Sequence, residues 1–143
     1  MRSRIFLLGL AILVATATGC RKEDKAYVKG RITLAGEPLG NVQVWFVPPA
    51  GPSSAGATDA DGRYELESGS KLGKRVFTGR CQVFLAQIIP QPEPDKPQPP
   101  PPPPRFHPRY LSATTGGLEC ELRTGPNTVD FDLEPNPAAE KKK

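Results

Sequence analysis

The sequence predicts an all-β fold, a seven-stranded antiparallel β-sandwich preceded by a helical export segment. Three observations predict it. Short segments of alternating apolar and polar residues recur from Ala26 onward, and glycine, proline, asparagine or aspartate separate them. No stretch sustains a helical period. Of the 143 residues, roughly 90 remain for a core once the N-terminal export segment, the short stalk after it, a proline-rich stretch and the charged C-terminal tail are set aside, enough for one small sandwich.

The strands follow in order. Val28, Gly30, Ile32 and Leu34 share one face while Lys29, Arg31 and Thr33 share the other, and residues 35–40 turn the chain. Val42, Val44 and Phe46 then point inward, leaving Gln43, Trp45 and Val47 on the outer face with Trp45 half exposed. Asp59, Asp61 and Gly62 form a tight turn before a strand whose Tyr64 and Leu66 point inward. Aspartate accepts hydrogen bonds from its own following amides, and glycine takes positive φ without steric cost. Cys81, Val83 and Leu85 alternate next, then Leu118, Cys120 and Leu122, and last Val129, Phe131 and Leu133.

Between these strands the segment 90–108 carries eleven prolines, six of them consecutive from Pro99 to Pro104. Such a run forces polyproline II geometry and excludes a central strand. Both its ends feed one domain, so it is expected to project as a stiff loop.

The first 19 residues have the three parts of a secretory signal: Arg2 and Arg4, an apolar run from Ile5 to Val14, and a small-residue stretch ending at Gly19. The apolar run is about ten residues, half of the roughly 20 a membrane span requires. Ala17, Thr18, Gly19 and Cys20 resemble the bacterial lipobox, although its first position is usually leucine. That resemblance implies cleavage after Gly19, a thioether from the Cys20 sulfur to diacylglycerol, and an exposed α-amine open to acylation by palmitate-type chains. Two or three chains anchor stably where one binds marginally. Export with tethering to the cell membrane or outer membrane is the expected localisation, with residues 20–25 as anchor and stalk, 26–135 as the folded domain and 136–143 as a disordered basic tail.

The formal net charge is +4; removing Arg2 and Arg4 with the signal leaves +2. Lysine and arginine are scattered singly without interleaved aromatics, which excludes nucleic acid as the expected partner. The expected partners are the membrane and an envelope protein or polysaccharide.

Read in order, the strand and turn elements resemble the carboxypeptidase regulatory-like, transthyretin-like family. They are Val28 to Leu34, Gly36 to Leu39, Val42 to Pro48, Thr58 to Tyr64, Pro108 to Tyr110, Leu118 to Leu122 and Asn127 to Leu133, about three quarters of the chain. The resemblance implies a prealbumin-like sandwich used as an accessory module, without catalytic residues to carry over. Cys81 stands where the family tends to have tyrosine, the stretch 71–78 is more basic, and the proline insert is long.

Candidate chemistry is sparse. His107 is the single histidine, too few for a nucleophile–base constellation or a hydrolytic metal centre, so neither catalysis nor a cofactor is expected. Asp59 and Asp61 resemble the start of a calcium loop whose later ligands do not follow, so no metal is assigned. Cys81 and Cys120 both fall on inward faces, where a disulfide and two free buried thiols are equally consistent with the pattern. Lys29, Asn127 and Glu65 could be cast as an isopeptide set, but Lys29 and Glu65 face outward, away from the low dielectric that would lower an amine pKa. Trp45, with the polyproline loop, is the candidate contact surface for carbohydrate or peptide.

Overall fold

A computed structural model describes residues 25–68, 73–89 and 100–140. The expected signal segment, Cys20 and the first part of the proline-rich stretch lie outside the described residues. Among the described residues, eleven strands build two facing sheets. They are β1 (Lys25–Leu34), β2 (Glu37–Pro38), β3 (Val42–Val47), β4 (Ser54–Ala57), β5 (Arg63–Glu65), β6 (Glu67–Ser68), β7 (Val76–Phe77), β8 (Gly79–Gln87), β9 (Leu118–Leu122), β10 (Gly125–Thr128) and β11 (Phe131–Leu133). A 3-10 turn covers Pro108–Leu111 and a short helix α1 covers Pro137–Glu140.

The ten-residue β1 organises the first sheet. One of its edges pairs antiparallel with β7, β5 and β2 in turn. Its other edge pairs parallel with β10 and β11. The offset is 99 residues in both, from Ala26↔Gly125 and from Ile32↔Phe131, so β10 and β11 are one strand interrupted at Val129 and Asp130. The second sheet is antiparallel, in the order β6-β4-β3-β8-β9. The all-β sandwich is thus present. Its expected seven strands appear as eleven segments because two are broken and two further two-residue segments, β2 and β7, pair with β1.

The first break is a change of sheet. β5 pairs with β1 in the first sheet and β6 with β4 in the second, and the chain crosses between them at Leu66. Leu66 is fully buried there, its amide donating to the Val28 carbonyl at 2.9 Å. The second break is a local substitution of partners. At Val129 the amide donates to the Lys29 carbonyl at 2.9 Å, and the Arg31 amide turns to Asp130 Oδ1 at 2.7 Å. A side-chain carboxylate stands in for the missing ladder acceptor, and the Val129 carbonyl accepts the Tyr64 hydroxyl at 2.6 Å instead. Burial raises the Tyr64 pKa, keeping the phenol a donor.

Alternation holds along both sheets. Ala26, Val28 and Ile32 of β1, with Tyr64 and Val76, meet Val44, Phe46, Val83 and Leu85 of the second sheet in one core. Phe46 joins the sheets, its ring centroid 6.1 Å from Tyr64 and 6.4 Å from Phe131.

Beyond β11 the stretch expected as a disordered tail opens on an ordered Asn136 and α1, while residues 141–143 lie outside the described residues. Asn136 is buried; its amide donates to the Arg105 carbonyl at 2.8 Å, its Nδ2 donates to the Pro104 carbonyl at 2.8 Å, and its Oδ1 accepts from the Ala138 amide at 3.0 Å. Proline leaves only carbonyls to bond, and this asparagine supplies the donor they need. Of the expected stiff loop 90–108, residues 90–99 lie outside the described residues and Pro100 to Pro103 are exposed, while Phe106 near its C-terminal end is fully buried and bridges to Pro135.

Asp132 secures the first hairpin. Its Oδ1 accepts from Thr33 Oγ1 at 2.6 Å and from the Gly36 amide at 2.9 Å. The Thr33 hydroxyl, then the Gly36 amide, hold its carboxyl below the ordinary aspartate range. A lowered folded pKa contributes stability that is present above the unfolded value and lost as pH falls through the folded one. Acid titration of thermal stability below about pH 4 is expected to fall less steeply in Asp132→Asn than in the native chain; parallel curves would remove this role.

Candidate functional site

The outer face of the second sheet carries the most distinctive exposed chemistry. Cross-strand partners share a face, and β3 and β8 pair Trp45 with Phe84. Their rings are parallel within 4°, with centroids 5.9 Å apart, and both are half-buried. Trp45 Nε1 donates to Gln43 Oε1 at 3.1 Å, which ties the indole to its neighbour on the same face. On its other side Trp45 pairs with Ala55 of β4, too small to cover it. The expected half exposure of Trp45 is therefore present, and Phe84 is its missed companion. Phe84 occupied a readable outward position between Val83 and Leu85, but strand pairing was needed to bring it beside Trp45.

Trp45 does not line the opening formed by Pro102 and Pro103. Pro102 and Pro103 line an opening of about 530 Å³ with Val42, Gln87, Ile88 and Ile89 at the far end of β3 and β8. Val42 pairs with Gln87 three residues along from the Trp45–Phe84 pair, a separation of roughly 10 Å at about 3.3 Å per residue.

The outer face of the first sheet holds a shallower groove of about 640 Å³, lined by Lys29, Arg31, Arg63, Glu65 and Asp130 among others. Its charges are mixed and several are engaged within the fold. Arg31 Nε donates to the Asp61 carbonyl at 2.9 Å, Arg63 pairs with Asp61 at 3.0 Å and Lys74 with Glu65 at 2.7 Å. Exposed pairs of this kind contribute little stability.

The isopeptide set is not assembled. Lys29 and Glu65 are register partners on the exposed face, whereas Asn127 Nδ2 donates to the carbonyls of Arg123 and Gly125 at 2.7 and 2.9 Å. Asp59 acts as turn chemistry, its Oδ1 accepting from the amides of Asp61 and Arg63, both at 2.9 Å. Gly62 completes that turn at φ +74°, with a hypothetical Cβ 2.3 Å from the Ile32 carbonyl oxygen. His107 caps the 3-10 turn, its Nδ1 accepting from the Arg109 amide at 3.2 Å.

Cys81 and Cys120 are free thiols and direct register partners between β8 and β9, Cys81 buried and Cys120 partly exposed. Among the described residues, no three or more His, Cys, Asp or Glu side chains converge to hold a metal ion, and no helix is long and apolar enough to cross a membrane. No family model, curated protein or solved structure matches the chain.

Proposed function

We propose that this chain is a noncatalytic bacterial lipoprotein, tethered through acylated Cys20, that displays its sandwich as a binding or structural module facing the periplasm or the exterior. The carrying observation is Cys20 itself, placed behind an apolar run and three small residues, in the arrangement that lipid attachment uses. The five residues from Cys20 to the start of β1 at Lys25 reach at most about 17 Å when extended, so an anchored sandwich would stand close to the bilayer. The use of His107 as a turn cap, and of Asp59 as a turn residue, supports a noncatalytic role.

Growth with radiolabelled palmitate is expected to label the native chain and leave Cys20→Ala unlabelled. Equal incorporation in both would end the lipoprotein reading.

The stacked Trp45–Phe84 pair favours a second reading, a contact face for carbohydrate or peptide, since flat aromatic surfaces accept sugar rings and proline-rich chains. Trp45 is the single tryptophan, so selectively excited tryptophan emission reports on this face alone. Titration with soluble cell-wall oligosaccharides or a decaproline peptide is expected to shift that emission in the native chain and less in Phe84→Ala; unchanged emission with every probe would remove the reading.

A further inference from the structure

We propose that Cys81 and Cys120 form a redox pair that closes into a cross-strand disulfide and locks the edge strand β9 onto β8. This does not depend on the lipid anchor, and it rests on register. Cys81 lies opposite Cys120 in an antiparallel ladder that runs from Gly79↔Leu122 to Val83↔Leu118. Opposed residues in such a ladder have Cα atoms roughly 4.5 to 5.5 Å apart, according to whether the pair is hydrogen-bonded. Both values fall inside the roughly 4.4 to 6.8 Å that a disulfide spans. Cross-strand partners also share a face, so the two sulfurs point to the same side of the sheet, toward the core. The register therefore sets the two cysteines at the Cα spacing a disulfide bridges.

The two thiols differ in access, which assigns their roles. Cys81 is only 1 % exposed, and its Sγ donates to the Gly79 carbonyl at 3.6 Å. Cys120 is partly exposed on the edge strand. A disulfide oxidant RSSR therefore meets Cys120 first. The Cys120 thiolate attacks one sulfur, forming Cys120–S–S–R and releasing RS⁻, which takes up the proton Cys120 lost. The Cys81 thiolate then attacks the Cys120 sulfur, forming the Cys81–Cys120 bond and releasing a second RSH. Two protein thiols are oxidised by two electrons, and RSSR is reduced to two RSH. Burial raises both thiol pKa values, that of Cys120 to about 12 with Cys81 as a second contributor. Exchange on the folded protein is consequently slow at neutral pH and quickens roughly tenfold per pH unit while the thiolate remains the minor form.

The structural consequence falls on β9. Among the described residues it has β8 on one side and no strand on the other, so its ladder to β8 is what holds it in the sheet. Edge strands with a single ladder open at lower free energy than interior ones. A covalent tie at the middle residue of β9 removes that opening.

The test uses the full chain carrying Cys20→Ala, so that only two thiols remain. The reduced protein is exposed to oxidised glutathione at pH 8.5 in its folded state, and in parallel is refolded from denaturant in a glutathione redox buffer. The expected product is a monomer lighter by two hydrogen atoms, with no titratable thiol after denaturation. Amide exchange over Leu118–Leu122 should be slower than in the reduced form, and the thermal midpoint higher. Adding Cys81→Ala should trap glutathione on Cys120, whereas adding Cys120→Ala should leave Cys81 unmodified until denaturation. Two titratable thiols surviving both oxidation routes, or disulfide-linked dimers, would overturn the pair. Glutathione trapped on Cys81 in the folded Cys120→Ala chain would overturn the order of attack.

Discussion

Gly30→Ala is expected to lower folding stability by about 3 kcal/mol or more, measured by urea denaturation at neutral pH. An ideal Cβ at residue 30 would sit 1.7 Å from the Val129 carbonyl oxygen, 2.6 Å from its carbon and 2.9 Å from the Tyr64 hydroxyl. Two of these atoms are backbone, so no rotamer change can make room. Relief requires moving the strand formed by β10 and β11 away from β1. That movement would stretch the Tyr64 bond to Val129 and the Arg31 amide bond to Asp130 together. Gly36 provides the control, since it holds φ +84° with nothing within 4 Å of its hypothetical Cβ. Gly36→Ala should lose only the cost of a left-handed residue, roughly 1 to 2 kcal/mol. A smaller loss at Gly30 than at Gly36 would show that the close approach is not a constraint.

The same region marks how far the sequence could be read. The alternation of Val42, Val44 and Phe46 against Gln43, Trp45 and Val47 was legible because period two is a property of an extended backbone, independent of partner. The glycine in Val28–Gly30–Ile32 was legible as an inward position, but not as the gap that admits a carbonyl from 99 residues away. Nor did any local pattern reveal that β1 runs parallel to β10 and β11, since their register is fixed through the whole fold. Leu66 alternates correctly with Tyr64 while the chain changes sheets beneath it. The candidate face was half legible for a related reason. Trp45 and Phe84 each sit at readable outward positions, and only the pairing of β3 with β8 makes them neighbours. Cys81 and Cys120 gave the inward direction of both thiols; the register of β8 against β9 supplied their opposition.

Phe106→Ala is expected to cost about 3 to 5 kcal/mol, the range for removing a fully buried aromatic ring. Against a typical domain stability of about 5 to 15 kcal/mol, that is a large share of the whole. Phe106 has no exposed surface, although it follows the described prolines Pro100 to Pro104, of which the first four are exposed. Its neighbours explain why the ring can be held so close to a proline rod. The His107 amide donates to the Glu134 carbonyl at 2.9 Å, and Asn136 bonds the carbonyls of Pro104 and Arg105. These contacts bind the rod's C-terminal end to the residues that follow β11, with Phe106 as the apolar plug between them. Truncating the ring should therefore do more than open a cavity: it should also loosen the Asn136 contacts, visible as faster amide exchange at Asn136 and His107. Pro102→Ala, at an exposed rod position, should change stability by less than about 0.5 kcal/mol. If Phe106→Ala melts within that same margin of the native chain, the plug does not hold the rod, and the proline stretch is attached to the sandwich by hydrogen bonds alone.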